Sequence, residues 1–198
     1  MNKPYTFVFF GIVGSGKGTQ VELLEKYLKE NNLSEDVLAT STGSEFRKLV
    51  EKDNYTSKLV KTIIEKGELQ PNFLTISLFT NILATSLGEE TSFIADGFPR
   101  TIPQAEAFES VMKFYGREDV HVIYIELSKE EAIKRMKLRG RSDDTDEGIV
   151  ERFEVYTRDV IPAMNYFKDK SGCTMHIING DQSIEAVHDD IIKSLNLE

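Results

Sequence analysis

The residues best suited to chemistry lie near the start of the chain, where an apolar run ends in a glycine-rich turn. Residues 5–20 read Tyr-Thr-Phe-Val-Phe-Phe-Gly-Ile-Val-Gly-Ser-Gly-Lys-Gly-Thr-Gln, and a helix-like stretch follows the turn. Glycines let backbone N–H groups point inward around an anion, and the N-terminus of a following helix adds partial positive charge. Because Lys17 adds a full positive charge, this segment predicts a binding site for nucleotide phosphates.

The spacing Gly11-x4-Gly16-Lys17 is that of a P-loop, in which a serine or threonine normally follows the lysine. Here Gly18 follows, and Thr19 comes one position later. Asp96 comes directly after an apolar run, where a carboxylate can hold Mg²⁺ through its water shell; an ordinary Asp-Gly turn is the alternative. We expect Mg²⁺ as the cofactor, bound mostly by phosphates and waters with Asp96 in the outer shell.

Arginine side chains give the second chemical signal. Four of them fall within one short window: Arg135, Arg139, Arg141 and Arg152. A planar guanidinium binds phosphate oxygens through two parallel hydrogen bonds, so this enrichment in an acidic protein indicates that several anionic groups are bound together. For any single arginine, a solvated surface pair with glutamate is the alternative.

Apolar runs alternate with helix-like segments along the chain. Strands are predicted over 5–10, 37–40, 92–95, 120–127 and 173–178, and helices over 16–31, 44–52, 57–66, 72–87, 103–115, 129–139, 147–168 and 184–195. This order predicts an α/β fold of three layers, with a five-stranded parallel sheet between helices on both faces. Ligands of such sheets bind beyond the carboxyl ends of the strands, where the polar segments lie. The three helical segments between residues 43 and 87 predict an insert over that crevice.

Length and composition restrict the class of protein. The 198 residues fit a single domain, and the net charge of −9 argues against broad binding to nucleic acid or to an anionic membrane. One cysteine, Cys173, excludes an internal disulfide and a multi-cysteine zinc site, and we expect a buried, inert thiol on a strand. His121, His176 and His188 form no recognisable cluster. No signal peptide or apolar span is evident, so we expect a cytoplasmic protein.

Together these segments resemble the adenylate kinases. The resemblance rests on Gly11-Ile-Val-Gly-Ser-Gly-Lys-Gly-Thr-Gln20, Ser41-Thr-Gly-Ser-Glu-Phe-Arg47, Gly67-Glu-Leu-Gln-Pro71, Asp96-Gly-Phe-Pro-Arg100 with Gln104, and Gly140-Arg-Ser-Asp-Asp144 followed by Arg152. These motifs run in order over nearly the whole chain. The resemblance implies one P-loop kinase domain over 1–198, a nucleoside-monophosphate-binding insert at about 41–70 and a very short lid loop at about 139–145.

The same resemblance implies reversible, Mg²⁺-dependent phosphoryl transfer from ATP to AMP, giving two ADP, by a monomer without zinc. For ATP it implies Gly14, Ser15, Gly16, Lys17, Gly18, Thr19, Arg135, Asn179 and Gly180. For AMP it implies Thr42, Gly43, Arg47, Leu69, Gln70, Gly97, Arg100 and Gln104. The catalytic group would be Lys17, Arg100, Arg139, Arg141 and Arg152.

Two positions depart from the family pattern. Ser44 stands where an aspartate is expected, and only Gly140 separates Arg139 from Arg141, so we expect a site that is poorly sealed against water. A UMP/CMP kinase and a nucleotide-binding sensor with weak transferase activity remain as alternatives. Thr42 and Gln104 favour adenine over other bases, and the retained lysine and arginines favour an enzyme over a sensor.

Overall fold

The computed structural model describes residues 3–140 and 145–198. Its strands are β1 (Thr6–Gly11), β2 (Val37–Ser41), β3 (Ser92–Asp96), β4 (Val120–Glu126) and β5 (Cys173–Asn179). They form one parallel sheet in the order β2-β3-β1-β4-β5. The predicted parallel sheet is therefore confirmed, and the strand ends differ from the prediction by no more than one residue.

The helices connect and cover the strands. They are α1 (Lys17–Glu30), α2 (Thr42–Val50), α3 (Tyr55–Lys66), α4 (Asn72–Ser86), α5 (Ile102–Phe114), α6 (Lys129–Arg139), α7 (Asp146–Val155), α8 (Ile161–Lys168) and α9 (Ile184–Ser194). Helices α2, α3 and α4 fill the connection between β2 and β3, as the predicted helical insert requires.

The single helix predicted over 147–168 is wrong, because a π-helical turn, Tyr156–Val160, separates α7 from α8. Pro162 lies in the first turn of α8. Its missing N–H cannot donate to the carbonyl of Arg158, so the regular hydrogen-bond ladder is interrupted at this place. Single π-helical turns of this kind are frequent at functional sites.

Side chains of β1 alternate between two apolar cores, which explains its uninterrupted apolar sequence. Phe7 and Phe9 pack into a core with residues of α1 and α9. Val8 and Phe10 pack on the opposite face with residues of α4, α5 and α8. All four side chains are buried, so both faces of the sheet are covered and the predicted three layers are present.

The carboxyl ends of β1, β2 and β3 lie side by side. In the sheet register Asp96 pairs with Phe9 on one side and with Ser41 on the other. The connection after β1 leads to β2 on one side of the sheet, and the connection after β3 leads to β4 on the other side. Because the two connections diverge, a crevice forms between the ends of β1 and β3. The P-loop and the Asp96–Arg100 segment therefore lie at the same edge of the sheet.

Two expectations about single residues need correction. His121 and His176 are not separate, because the pairing of β4 with β5 brings Nδ1 of His121 to 3.1 Å from Nε2 of His176. Burial lowers the pKa of both imidazoles, so the pair is neutral at neutral pH. Cys173 lies on a strand as expected but is only half-buried.

No described helix has both the length and the apolar character needed to cross a lipid bilayer.

Candidate active site

The P-loop joins β1 to α1 and holds its lysine close to the loop backbone. Nζ of Lys17 donates hydrogen bonds to the carbonyl oxygens of Gly11, at 2.7 Å, and Ile12, at 2.9 Å. Gly16 is the N-cap residue of α1 and has the left-handed conformation, with φ of 88°. No side chain donates or accepts a capping hydrogen bond at this end of the helix. A helix N-terminus without a side-chain cap leaves its first amide groups to an anion.

The charge on Lys17 is sensitive to its surroundings. Burial lowers the pKa of the Lys17 amine to about 8, while Asp96 raises this pKa and the positive charges of Arg100 and Arg139 lower it. An anion near the lysine would stabilise its protonated form. The loop is therefore prepared electrostatically for phosphate.

A group of arginines adjoins the lysine. Burial lowers the pKa of Arg100; Asp96 opposes this shift, and the positive charges of Arg152 and Arg47 add to it. A guanidinium nevertheless stays charged at physiological pH. The side chains thus concentrate positive charge around Asp96, as a site for several phosphate groups requires.

The carbonyl of Gly97 joins two predicted binding residues. Its oxygen accepts hydrogen bonds from Oγ1 of Thr42, at 2.7 Å, and from Nε of Arg100, at 2.9 Å. Gly97 has φ of 75°, and a Cβ atom there would lie 2.7 Å from Nη2 of Arg100 and 2.9 Å from Oγ1 of Thr42. Only glycine fits here without strain. The absence of a Cβ atom at Gly97 lets the side chains of Thr42 and Arg100 reach its carbonyl oxygen.

Gln104 is buried in α5. Its Oε1 accepts from the backbone N–H of Arg100 at 2.9 Å, and its Nε2 donates to Oδ1 of Asn72 at 2.9 Å. The same Asn72 oxygen accepts from the hydroxyl of Thr101 at 2.8 Å. Sequence reasoning missed Asn72, because nothing distinguishes it from other polar residues that begin a helix.

One cavity brings together most of the predicted residues. Its walls include Lys17, Thr42, Gly43, Arg47, Leu69, Gln70, Gly97, Arg100, Gln104, Arg139 and Arg152. The sequence analysis missed several apolar and aromatic residues that line the cavity, namely Phe46, Ile64, Pro99, Val155, Tyr156 and Val160. Such side chains suit the faces of a nucleobase, but in sequence they are indistinguishable from core residues.

Other predicted residues do not line this cavity: Gly14, Ser15, Gly16, Gly18, Thr19, Asp96, Arg135, Asn179 and Gly180. Nε of Arg135 donates to Oε1 of Glu131 at 2.9 Å along α6, and the amide of Gly180 donates to the carbonyl of Glu126 at 2.7 Å. Asn179 ends β5 and is exposed. Arg141, with most of the lid loop, lies outside the described residues.

Asp96 ends β3 with its carboxylate next to a hydroxyl. Its Oδ2 accepts a hydrogen bond of 3.3 Å from the hydroxyl of Ser41, its neighbour in the sheet. Mg²⁺ in nucleotide sites typically takes one or two carboxylates and fills its other positions with phosphates and waters. In the described ranges, His, Cys, Asp and Glu nowhere form a metal-binding group of three or more. A single carboxylate next to a hydroxyl fits Mg²⁺ held through waters.

A parallel sheet, a P-loop and a cavity lined by one lysine and several arginines define a nucleotide-binding protein of the P-loop phosphotransferase class. Residues 9–172 match the family model for adenylate kinase. The chain therefore belongs to the adenylate kinase family.

Curated relatives agree over nearly the full chain. The chain is 34% identical over 185 residues to an adenylate kinase of Prochlorococcus marinus, which covers 93% of this chain and 94% of the relative. It is 36% identical over 194 residues to an adenylate kinase of Parabacteroides distasonis, covering 96% of each. A third adenylate kinase, from Dehalococcoides mccartyi, is 32% identical over 221 aligned positions, covering 96% of this chain and 98% of the relative. Those positions exceed the 198 residues of this chain, so that relative contains residues absent here.

Proposed function

We propose that the site transfers the γ-phosphoryl group of ATP to the phosphate of AMP, reversibly, giving two ADP. The observation that carries this proposal is that Lys17, Arg47 and Arg100 line one cavity. A lysine from the P-loop and arginines from α2 and from the segment after β3 would give two phosphate sites, whereas nucleotide hydrolysis or sensing needs only one. Membership of the adenylate kinase family supports the same reaction. It does not favour a UMP/CMP kinase or a sensor.

On the donor side, Lys17 and the loop amides would hold the β- and γ-phosphates. The lysine is now bonded to the carbonyls of Gly11 and Ile12, so donor binding would exchange these bonds for bonds to phosphate. The residues from Gly14 to Thr19 would bind through backbone groups. Arg135 and the Asn179-Gly180 backbone would lie beside the donor base.

On the acceptor side, Arg47 and Arg100 would hold the phosphate of AMP. An oxygen of that phosphate attacks the γ-phosphorus while the bond to the β–γ bridging oxygen breaks, and ADP leaves. Such a transition state needs alignment and neutralised charge rather than a nucleophilic side chain. Arg139 and Arg152, which line the cavity, and Arg141 would neutralise the transferring group.

Asp96 would bind Mg²⁺ through waters, and Ser41 would orient its carboxylate. When bound, Mg²⁺ would supply neutralisation of charge on the β- and γ-phosphates. Ser44 contributes no carboxylate, so Asp96 carries this role on the protein side. The remaining parts of the proposal are the acceptor-binding insert at 41–70, the short lid loop at 139–145, a monomeric enzyme and a cytoplasmic location.

The test is phosphoryl transfer from MgATP to AMP, CMP, UMP and GMP in parallel, with an ATP-only sample and a Lys17→Ala control. We expect fast transfer to AMP, loss in the control, and measurable ATP hydrolysis without an acceptor because of the short lid. Binding of both nucleotides without transfer to any acceptor would overturn the proposal. A hydrolysis rate below that of a relative with a long lid would contradict the open-lid part alone.

A further inference from the structure

The histidine pair, His121 and His176, lies apart from the residues that carry the proposed reaction. His121 is near the start of β4 and His176 is in the middle of β5, whereas the cavity lies beyond the carboxyl ends of the strands. Neither histidine lines that cavity. The ring of His121 packs against Phe7, with the ring centroids 5.6 Å apart. Phosphoryl transfer therefore gives no reason for the two rings to meet.

The two rings approach each other through one nitrogen each. Nδ1 of His121 lies 3.1 Å from Nε2 of His176, and the ring centroids are 5.3 Å apart. Burial lowers the pKa of both imidazoles, so both rings are neutral at neutral pH. A neutral imidazole carries one N–H donor and one lone pair. What can lie between the rings depends on which nitrogens carry the protons.

Hydrogen-bond acceptors lie on the outer side of both rings. Nε2 of His121 is 3.8 Å from Oδ2 of Asp119. A hydrogen bond to the backbone of Ser194 raises the pKa of His176, as expected when the ring N–H donates to a carbonyl. Both neighbours favour a proton on the outer nitrogen, which leaves two lone pairs facing each other. A proton between the rings requires one of them to give up its outer partner, whereas a cation between them does not.

This arrangement has the features of a pair of metal ligands. A histidine that binds a metal usually donates its other N–H to a carboxylate or a backbone carbonyl, and Asp119 and Ser194 provide one of each. Two nitrogens at about 2.0–2.1 Å from a tetrahedral Zn²⁺ are roughly 3.3 Å apart, close to the 3.1 Å between these two nitrogens. The charge of Asp119 raises the pKa of both rings, so it favours positive charge at the pair.

We propose that His121 and His176 bind one divalent transition-metal ion, such as Zn²⁺ or Ni²⁺, through Nδ1 and Nε2, with waters as its other ligands. Imidazole suits these ions, whereas Mg²⁺ takes oxygen ligands. The side chain of His121 is 19% exposed and that of Asp119 is 76% exposed, so solvent reaches the pair. Since β5 is an edge strand, the ion would fasten it to β4 and stabilise the protein. The proposal does not depend on the proposed function.

The experiment titrates the full chain, stripped of metal with a chelator, with Zn²⁺ in excess Mg²⁺, which occupies sites built from oxygen ligands. Calorimetry should show one equivalent of Zn²⁺ bound. At a free Zn²⁺ concentration about 100 times the dissociation constant, the thermal midpoint should rise by about 5 °C or more. His121→Gln and His176→Gln should each abolish this binding and this rise. Asp119→Asn should weaken binding about 10-fold, because it removes the acceptor that orients His121.

Two variants serve as matched controls. His188 is the third histidine of the chain, and its ring packs against Tyr27 rather than against another histidine. Cys173 is the one thiol, and it is half-buried. His188→Gln and Cys173→Ser should both keep the wild-type stoichiometry and affinity for Zn²⁺.

No binding of Zn²⁺ by the wild type would overturn the inference. Full binding by His121→Gln or His176→Gln, or its loss in either control, would overturn it as well, since the ion would then bind elsewhere. If the histidine variants do not fold, ¹⁵N NMR of the imidazole nitrogens in the wild type gives the answer. Zn²⁺ should shift Nδ1 of His121 and Nε2 of His176 and leave the outer nitrogens protonated, and unchanged resonances of these two atoms would overturn the inference.

Discussion

In the acceptor part of the cavity, three of the predicted binding side chains are already held by hydrogen bonds within that part. In the P-loop, the lysine is instead bonded to backbone carbonyls, and it would have to exchange these bonds for bonds to phosphate. Thr42 and Arg100 share the carbonyl of Gly97, and Gln104 is held by Arg100 and Asn72. Lys17 instead lies against Gly11 and Ile12. We therefore expect the two regions to bind phosphate from different starting conformations.

This difference follows from how the two regions are built. The acceptor residues come from α2, from α5 and from the segments that follow α3 and β3, and Thr42, Gln70 and Gln104 among them are buried. Polar groups buried together must satisfy one another. The P-loop is a glycine-rich turn whose lysine has a flexible side chain. The acceptor pocket should therefore bind with little rearrangement, and the donor site should reorganise when ATP binds.

The largest effect is expected on the donor side. Lys17→Ala should lower kcat/KM about 100- to 1000-fold, because the variant lacks a charge that stabilises the transferring phosphoryl group. AMP binding, measured by calorimetry, should stay within about twofold of wild type, as the acceptor pocket does not depend on the lysine. A parallel loss of AMP affinity would show that the two regions are not independent.

The acceptor side should respond to backbone geometry. Gly97→Ala should raise KM for AMP about 10-fold or more, because the added Cβ meets Arg100 and Thr42 and the positive φ is strained. KM for MgATP should change far less. Gly16→Ala is the control, since a Cβ there meets nothing within 4 Å although its φ is also positive. Equal effects of both variants on AMP would mean that backbone strain alone is responsible.

A smaller effect is expected at Asn72, which touches the site only through Gln104. Asn72→Ala should raise KM for AMP about 5-fold with kcat nearly unchanged, because it removes a hydrogen bond that orients Gln104. Asn72→Asp keeps the accepting oxygen and should restore most of the affinity. Steady-state kinetics with varied AMP checks both variants, and a decrease of kcat alone would contradict an orienting role.

The smallest effect concerns pH. The Lys17 pKa of about 8 in the free protein should rise when phosphates bind, so MgATP binding should take up a proton and weaken as pH rises from about 7 to about 9. Calorimetry in buffers of different ionisation enthalpy measures this uptake, and Lys17→Met should abolish it. Since the folded-state pKa lies below the unfolded value of 10.5, Lys17 should make the free protein more stable as pH rises from about 8 to 10.5. A MgATP affinity that is independent of pH would contradict the assignment.

The sequence predicted the sheet well because buried parallel strands have a strong local signature. Each of the five apolar runs became a strand. The break at Tyr156–Val160 was missed because it depends on one proline within an otherwise regular helical pattern. The histidine pair was missed because 55 residues separate its members in the chain and only strand pairing joins them.

For the site, the sequence by itself determined which groups carry charge and where they follow strands. The motif around Lys17 indicated phosphate binding through residue type and local spacing alone, whereas the role of Arg100 was expected from the resemblance to the adenylate kinases. The tertiary structure decided which polar atoms are already used. It joins Thr42 to Gly97 and Gln104 to Asn72, and it leaves the oxygen of Gln70 without a donor. Hydrogen-bond satisfaction depends on contacts between segments far apart in the chain, so residue types cannot determine it until the helices have packed.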